Sequence, residues 1–302
     1  MPVTQKQIFG LSAALVTPFG EDGSVDLARL ARHARRVLDR GCDGITLFGT
    51  TGEGFGIGMR ERAAMIGAIA GAGIDPVARL HAGVAATTIE DAVEQGRLAL
   101  DCGARGLLMA PPFYFKGVDD EGLYAWFSAV IERIGASARG VILYHIPGQT
   151  AVPLSVHLVG RLKRAFGGVI AGLKDSSGRW EDASGFLAAH GDLAILIGDE
   201  RLLARGVRAG AQGSICGLAN LVPDLLRPLV HTGEDDPKVG RLVDLISSYP
   251  VLPAVKALAG HVQGDIGFGA MRPPLVALDA AARAELTAKF DAILAEPEEA
   301  VA

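Results

Sequence analysis

Val169-Ile170-Ala171-Gly172-Leu173-Lys174-Asp175-Ser176-Ser177-Gly178 is an apolar run that meets a single lysine and passes at once into a polar Gly/Ser turn. A continuous apolar run of this length reads as a strand covered on both faces, and the turn chemistry marks its end. Seven other runs have the same form: Leu11–Phe19, Gly44–Thr50, Val77–Val84, Gly106–Pro112, Val141–Pro147, Ala194–Asp199 and Gly213–Asn220. Segments of helical period lie between them. In Asp26–Arg40, Leu27, Leu30, Ala31, Ala34, Val37 and Leu38 line one stripe, and Ser24 or Asp26 is placed to cap it. Ile89–Leu100, Gly122–Ile134, Leu154–Ala165 and Ala183–Ala189 behave alike.

Eight such units in alternation imply an α/β fold, a closed parallel (β/α)8 TIM barrel, with a doubly wound open sheet as the alternative. After Asn220 the strand pattern stops. Pro223–Thr232 closes the last unit, and Lys238–Ser248, Val251–Val262 and Ala280–Ala295 read as a C-terminal three-helix extension. The expected organisation is a barrel over 1–235 and a helical extension of the same domain over 236–302.

Composition narrows the function. The 302 residues are 49% hydrophobic and 21% charged, with a net charge of −5. No basic run carries interleaved aromatics, so nucleic acid is not an expected partner. The start, Met1-Pro2-Val3-Thr4-Gln5-Lys6, lacks a charged-then-apolar leader, and no apolar stretch approaches membrane-spanning length. These features lead us to expect a soluble cytoplasmic protein without a membrane partner. Cys42, Cys102 and Cys216 lack metal or redox spacing and read as small buried apolar residues. The seven histidines form no ligand pattern, and no metal or other cofactor is expected.

Barrel chemistry gathers at the carboxyl ends of the strands. Those ends hold Thr17, Thr50 and Thr51, Tyr114, Tyr144 and His145, Lys174, and Gly198-Asp199-Glu200. A lysine desolvated at such an end becomes a nucleophile toward a carbonyl; a lysine that snorkels to the rim does not. The Gly-rich stretch at 49–58, GTTGEGFGIG, lacks the ending of a P-loop and the G-x-G-x-x-G spacing. It reads as a cradle of backbone amides and hydroxyls for a carboxylate.

Three signs resemble the pyruvate-dependent class I aldolase family of dihydrodipicolinate synthase and N-acetylneuraminate lyase. They are GTTGE at 49–53, Tyr144 with Pro147, and Gly-Leu-Lys-Asp-Ser-Ser-Gly at 172–178, with weaker similarity at Val255-Lys256 and Arg272-Pro273-Pro274. The resemblance implies a (β/α)8 barrel assembled as a homotetramer, a dimer of dimers. It implies that Lys174 forms the Schiff base with pyruvate or another 2-oxo acid, with an aldehyde as the other substrate. Tyr144 would transfer protons, relayed by Thr50 to Tyr114 across a dimer interface. Thr50 and Thr51 would hold the carboxylate, and Gly198 and Ile215 would line the pocket, the latter through its carbonyl.

Gln149 stands where the synthase has an arginine for its aldehyde's carboxylate, and His145 where it has an asparagine. Pro111-Pro112-Phe113 replaces the synthase's Thr-Pro-Tyr. An amide cannot give the bidentate ionic fork. The expected activity is therefore aldol cleavage, condensation or dehydration of a hydroxylated, sugar-acid-type 2-oxo acid. Competing readings are 4-hydroxy-tetrahydrodipicolinate synthase despite Gln149, a non-catalytic 2-oxo-acid-binding regulatory protein, and a phosphate-binding barrel enzyme without covalent chemistry.

Overall fold

A computed structural model describes residues 8–297. The reading of Met1–Lys6 and the final positions 298–302 lie outside the described residues. Eight strands close into a parallel barrel in sequence order: β1 (Gly10–Ala14), β2 (Gly44–Leu47), β3 (Leu80–Val84), β4 (Gly106–Met109), β5 (Val141–His145), β6 (Ile170–Asp175), β7 (Ala194–Ile197) and β8 (Gly213–Cys216). β1 closes the ring by pairing with β8, Ser12 opposite Ile215. Ala14, Leu108, Ile142, Tyr144, Leu196 and Ile215 fill the barrel interior, and a larger apolar core lies between strands and helices.

Every strand but β3 starts within about a residue of its apolar run, and most end two or more residues early. The residues that follow β1 show why. Leu15, Val16 and Thr17 are fully buried although they have left the sheet. Such loops stay apolar because the C-terminal helices cover the barrel mouth, so hydrophobicity outlasts strand geometry. The run from Val77 is corrected at its other end. Pro76–Arg79 is a helical turn, capped by the Asp75 carboxylate on the Val77 N–H, with Pro76 at its first position.

Helices Leu27–Asp39, Ile89–Asp101, Asp120–Ile134, Val156–Phe166 and Trp180–His190 follow the expected segments. Asp26, not Ser24, caps the first, accepting from Arg29 N–H at 2.8 Å. Helices Pro237–Ser247, Val251–His261 and Ala280–Ala295 form the extension, packing on one another and on the turns after β7 and β8. The cysteine reading is corrected in part. Cys42 and Cys216 are buried, but Cys102 is exposed, because it terminates helix Ile89–Asp101 at a surface turn beside Gly103. Among the described residues no helix is long and apolar enough to cross a membrane.

Candidate active site

β5 and β6 are paired so that Tyr144 stands opposite Lys174 and His145 opposite Asp175. Alternation along the strands sends the first pair into the barrel and the second toward the helices. Lys174 and Tyr144 are 5% and 6% exposed, and the lysine Nζ lies 3.1 Å from the tyrosine Oη. The amine also sits 4.3 Å from the Tyr144 ring centroid. A phenol and its ring therefore flank a buried amine inside the barrel, so an acid–base group lies within reach of the lysine.

The end of β7 fits against this lysine only because residue 198 is glycine. A Cβ there would lie 2.0 Å from Ser176 Oγ, 2.8 Å from the Asp175 carbonyl oxygen and 3.1 Å from Lys174 Cε. Gly198 N–H donates to that carbonyl at 2.7 Å, tying β7 to the residue after the lysine. Ile215 is fully buried in the barrel interior on β8.

The loop after β2 carries Thr50 and Thr51 and is held in an unusual backbone shape. Phe48 and Glu53, which flank the pair, have φ of 61° and 54°. Left-handed conformations of non-glycine residues cost about 1–3 kcal/mol each and persist where surroundings enforce them. The surroundings here are explicit. The buried guanidinium of Arg62 donates to the carbonyls of Ile57, Gly83 and Gly54 and lies over the Phe48 ring at 4.5 Å. Burial, with no carboxylate to offset it, lowers its pKa to about 10. Thr17 Oγ1 donates to Gly52 O at 2.7 Å. Lys256, fully buried on helix Val251–His261, reaches Glu53 Oε1 at 2.5 Å. Gly54 lets the loop fold back, since a Cβ there would sit 1.9 Å from Phe48 O. The sequence singles out the threonines; Lys256 enters only through the weaker similarity at Val255-Lys256, with no role attached, and Arg62 not at all.

Two spaces lie at the strand ends, one lined by Tyr144 and the other by Ser176 and Gly198, and neither by Lys174 itself. A cleft of about 20 Å³, room for roughly one water, is bounded by Thr50, Tyr144 and Gln149. A larger cavity of about 310 Å³ opens between the strand ends and the helical extension, lined by Thr51, Ser176, Gly198, Asp199, Arg201 and Ser247 among others. Its guanidinium is already engaged: Arg201 meets Asp199 at 2.6 Å and Asp244 at 2.8 Å. Hydrogen bonding to Asp199 raises the Arg201 pKa and holds its charge. Glu200, by contrast, is buried with its carboxyl accepting from Leu218 N–H, and burial pushes its pKa up.

Behind Lys174 and Tyr144, His145 Nδ1 accepts the Leu154 N–H at 3.0 Å. The neutral ring therefore carries its proton on Nε2. That nitrogen faces Asp182 Oδ2 at 3.6 Å and Asp175 Oδ1 at 3.9 Å, both beyond hydrogen-bond length. Burial raises the pKa of the Asp175 carboxyl, and hydrogen bonding from Ser177, whose N–H reaches Oδ1 at 3.0 Å, partly offsets it. Tyr114 lies elsewhere: it is 73% exposed in the loop after β4, edge-on to Phe115. A single chain brings together Lys174, Tyr144, Thr50, Thr51, Gly198 and Gln149, and leaves Tyr114 at the surface.

Comparison with known proteins places this geometry in a family. Residues 7–293 match the dihydrodipicolinate synthetase family. The chain is 35% identical over 294 residues to an uncharacterized DapA-like lyase of Chloroflexus aurantiacus, covering 95% of this chain and 97% of that one. It is 33% identical over 285 residues to a 4-hydroxy-tetrahydrodipicolinate synthase of Synechococcus, covering 92% of each. The crystal structure of dihydrodipicolinate synthase from Agrobacterium tumefaciens superposes with a TM-score of 0.92 at 52% identity, over 94% of this chain and 99% of that one. The chain belongs to the dihydrodipicolinate synthetase family and is an enzyme of its class I aldolase and lyase type.

Proposed function

We propose that Lys174 forms a Schiff base with pyruvate or another 2-oxo acid, and that the enzyme cleaves, condenses or dehydrates a hydroxylated, sugar-acid-type 2-oxo substrate. The observation that carries the proposal is the buried contact between Lys174 Nζ and Tyr144 Oη at 3.1 Å. The neutral amine attacks the ketone carbon, and Tyr144 delivers a proton to the hydroxyl that leaves as water. The resulting iminium is an electron sink. In cleavage, the C3–C4 bond pair flows into it while the C4 hydroxyl loses its proton, releasing an aldehyde and an enamine. Protonation at C3 and hydrolysis return the 2-oxo acid and the free lysine. In dehydration, C3 loses a proton and the C4 hydroxyl departs. Neither course needs a cofactor, and proton transfer by Tyr144 is worth roughly 10²–10⁴-fold in rate.

In this scheme Thr50 and Thr51 hold the substrate carboxylate, and Gly198 and the Ile215 carbonyl shape the pocket. Thr50 relays protons toward a Tyr114 offered by a second copy of the chain, within a homotetramer in the cytoplasm. The exposure of Tyr114 supports its use across an interface. The substrate's tail would occupy the 310 Å³ cavity, where Ser176 and Ser247 present hydroxyls and Arg201 is already paired with two carboxylates. Gln149, at the other space, is exposed and uncharged. Neither space offers a second substrate carboxylate a free guanidinium, which favours a hydroxylated tail.

Borohydride reduction in the presence of pyruvate tests the covalent step: the adduct should map to Lys174 by mass spectrometry and vanish in Lys174→Ala. No adduct would favour a binding protein without turnover. A second reading, 4-hydroxy-tetrahydrodipicolinate synthase, is favoured by the similarity to the Agrobacterium and Synechococcus synthases. Efficient turnover of pyruvate with aspartate semialdehyde would establish it. Pyruvate release from a panel of hydroxylated 2-oxo acids would establish the first.

A further inference from the structure

We propose that the end of the barrel opposite Lys174 holds a second ligand site, built for a small organic monocarboxylate. Barrel interiors are ordinarily filled by layers of branched side chains. The lowest layer here is thin. Ala171 is solvent-exposed although it lies within β6, and Ala194 at the start of β7 is only half-buried. Gly106 and Gly140 meet at the adjoining strand starts, where a Cβ on Gly106 would lie 2.2 Å from Gly140 O. Small residues at these positions leave a cavity of about 200 Å³. An apolar cavity of roughly 150 Å³ suffices for benzene.

The polar groups of the cavity point to an anion. His81, on β3, is 6% exposed and lines the cavity. Its ring packs on Phe9 at 5.1 Å and makes no hydrogen bond among the described residues. A buried imidazole normally finds a partner. Burial first, and the positive Arg105 second, hold it neutral, so it offers one N–H and one lone pair. His81 pairs with Gly106 across β3 and β4, and the preceding Arg105, an exposed residue whose N–H donates to Leu80 O at 2.8 Å, lines the same cavity. Arg105 forms no ion pair among the described residues, and its one side-chain contact is a 3.3 Å bond to Ala78 O. Gln212 adds an amide, anchored on Leu193 O at 3.3 Å. Phe9 and Ile142 supply apolar wall. A guanidinium fork with a neutral donor beside it, over an aromatic wall, suits a carboxylate on a compact apolar body. Inorganic phosphate would leave the wall unused.

Isothermal titration of the full chain with benzoate tests the site, with benzamide as the uncharged control. Benzoate should bind saturably with Kd of roughly 1 mM. Arg105→Ala should weaken it at least tenfold, by losing a charge-assisted contact. Ala171→Leu, which fills the cavity, should abolish it, and benzamide should bind at least tenfold more weakly than benzoate. Lys174→Ala, at the other end of the barrel, should leave benzoate binding unchanged. Equal binding by wild type and Arg105→Ala, equal binding of benzoate and benzamide, or no saturation up to about 20 mM, some twentyfold above that Kd, would each overturn the assignment. So would benzoate binding that appears only when residues 1–7 are removed, since the occupant would then be the chain's own N-terminal segment.

Discussion

Lys256→Met should destabilise the enzyme severely, and the same change made together with Glu53→Gln should not. Lys256 is fully buried, and its ammonium lies 2.5 Å from Glu53 Oε1 and 4.3 Å from the Phe19 ring centroid. At that separation and an effective dielectric of about 20, the attraction is about 7 kcal/mol. Removing two ions from water takes back several kcal/mol for each, so the intact pair contributes little net stability. Burial lowers the Lys256 pKa even with Glu53 beside it, which is the same cost seen from the amine. Truncation is different. Glu53 Oε2 already has no hydrogen-bond partner, and losing the ammonium orphans the whole buried carboxylate. That costs about 3–5 kcal/mol, a large part of an ordinary total of about 5–15. Urea unfolding at one fixed protein concentration measures it. The single variant should lose its midpoint by that amount at unchanged slope, and the double variant should recover most of it. The Michaelis constant for the 2-oxo acid should rise in the single variant, since Glu53 ends the loop that carries Thr50 and Thr51. A single variant that loses less than about 1 kcal/mol, or a double variant as unstable as the single, would refute the argument.

Three other outcomes follow from the same geometry. Tyr114→Phe should leave stability unchanged, because the side chain is 73% exposed, and should lower turnover; an unchanged rate removes Tyr114 from the proton relay. Gly198→Ala should cost about 1–3 kcal/mol of overpacking and slow imine trapping, since its Cβ would press on the Asp175 carbonyl and Lys174 Cε; trapping at the wild-type rate would mean β7 can retreat without cost. Burial lowers the His81 pKa to about 3, so stability from the neutral ring is complete above the unfolded value near 6.5 and is lost as pH falls toward the folded value. The stability difference between wild type and His81→Leu should therefore shift by about 1.4 kcal/mol against wild type between pH 7.5 and 5.5, read from urea midpoints; a pH-independent difference would mean the ring takes up its proton as readily in the fold as in the unfolded chain.

Lys174 and Tyr144 were legible because their signals are local. An apolar run, one polar side chain and a turn identify a strand end, and barrel topology places every such end at one mouth. The clamps on the Thr50–Thr51 loop were not legible. Glu53 and Lys256 lie 203 residues apart, and nothing in the apolar helix Val251–His261, buried from Pro253 to Gly260, says where its one lysine finds a partner until the helix is docked. Arg62 has three backbone carbonyls as its partners, which leave no residue-type signature. Strand ends were overestimated for a related reason. Hydrophobicity reports burial, and the loops at the mouth are buried by the helical extension instead of by the sheet. Cys102 was misjudged because its residue type suggests burial, whereas its position at a helix terminus decides exposure.

This division separates what sets the reaction from what selects the substrate. The proposed covalent step uses Lys174 and Tyr144, adjacent on paired strands whose register fixes their distance. The larger cavity is closed on its far side by residues of other elements, among them Val243, Ser247 and Val255 on the helical extension. Arg201 links the two parts, since one carboxylate that holds it, Asp199, follows β7 and the other, Asp244, belongs to helix Pro237–Ser247. A change at Asp244 would free one side of that guanidinium without touching the strands. Charge would then become available to a substrate carboxylate while the Lys174–Tyr144 contact stayed as it is. For the proposed substrate, choice can therefore change through the extension alone, and Gln149 and Asp244 are the two positions proposed to set the charge it meets.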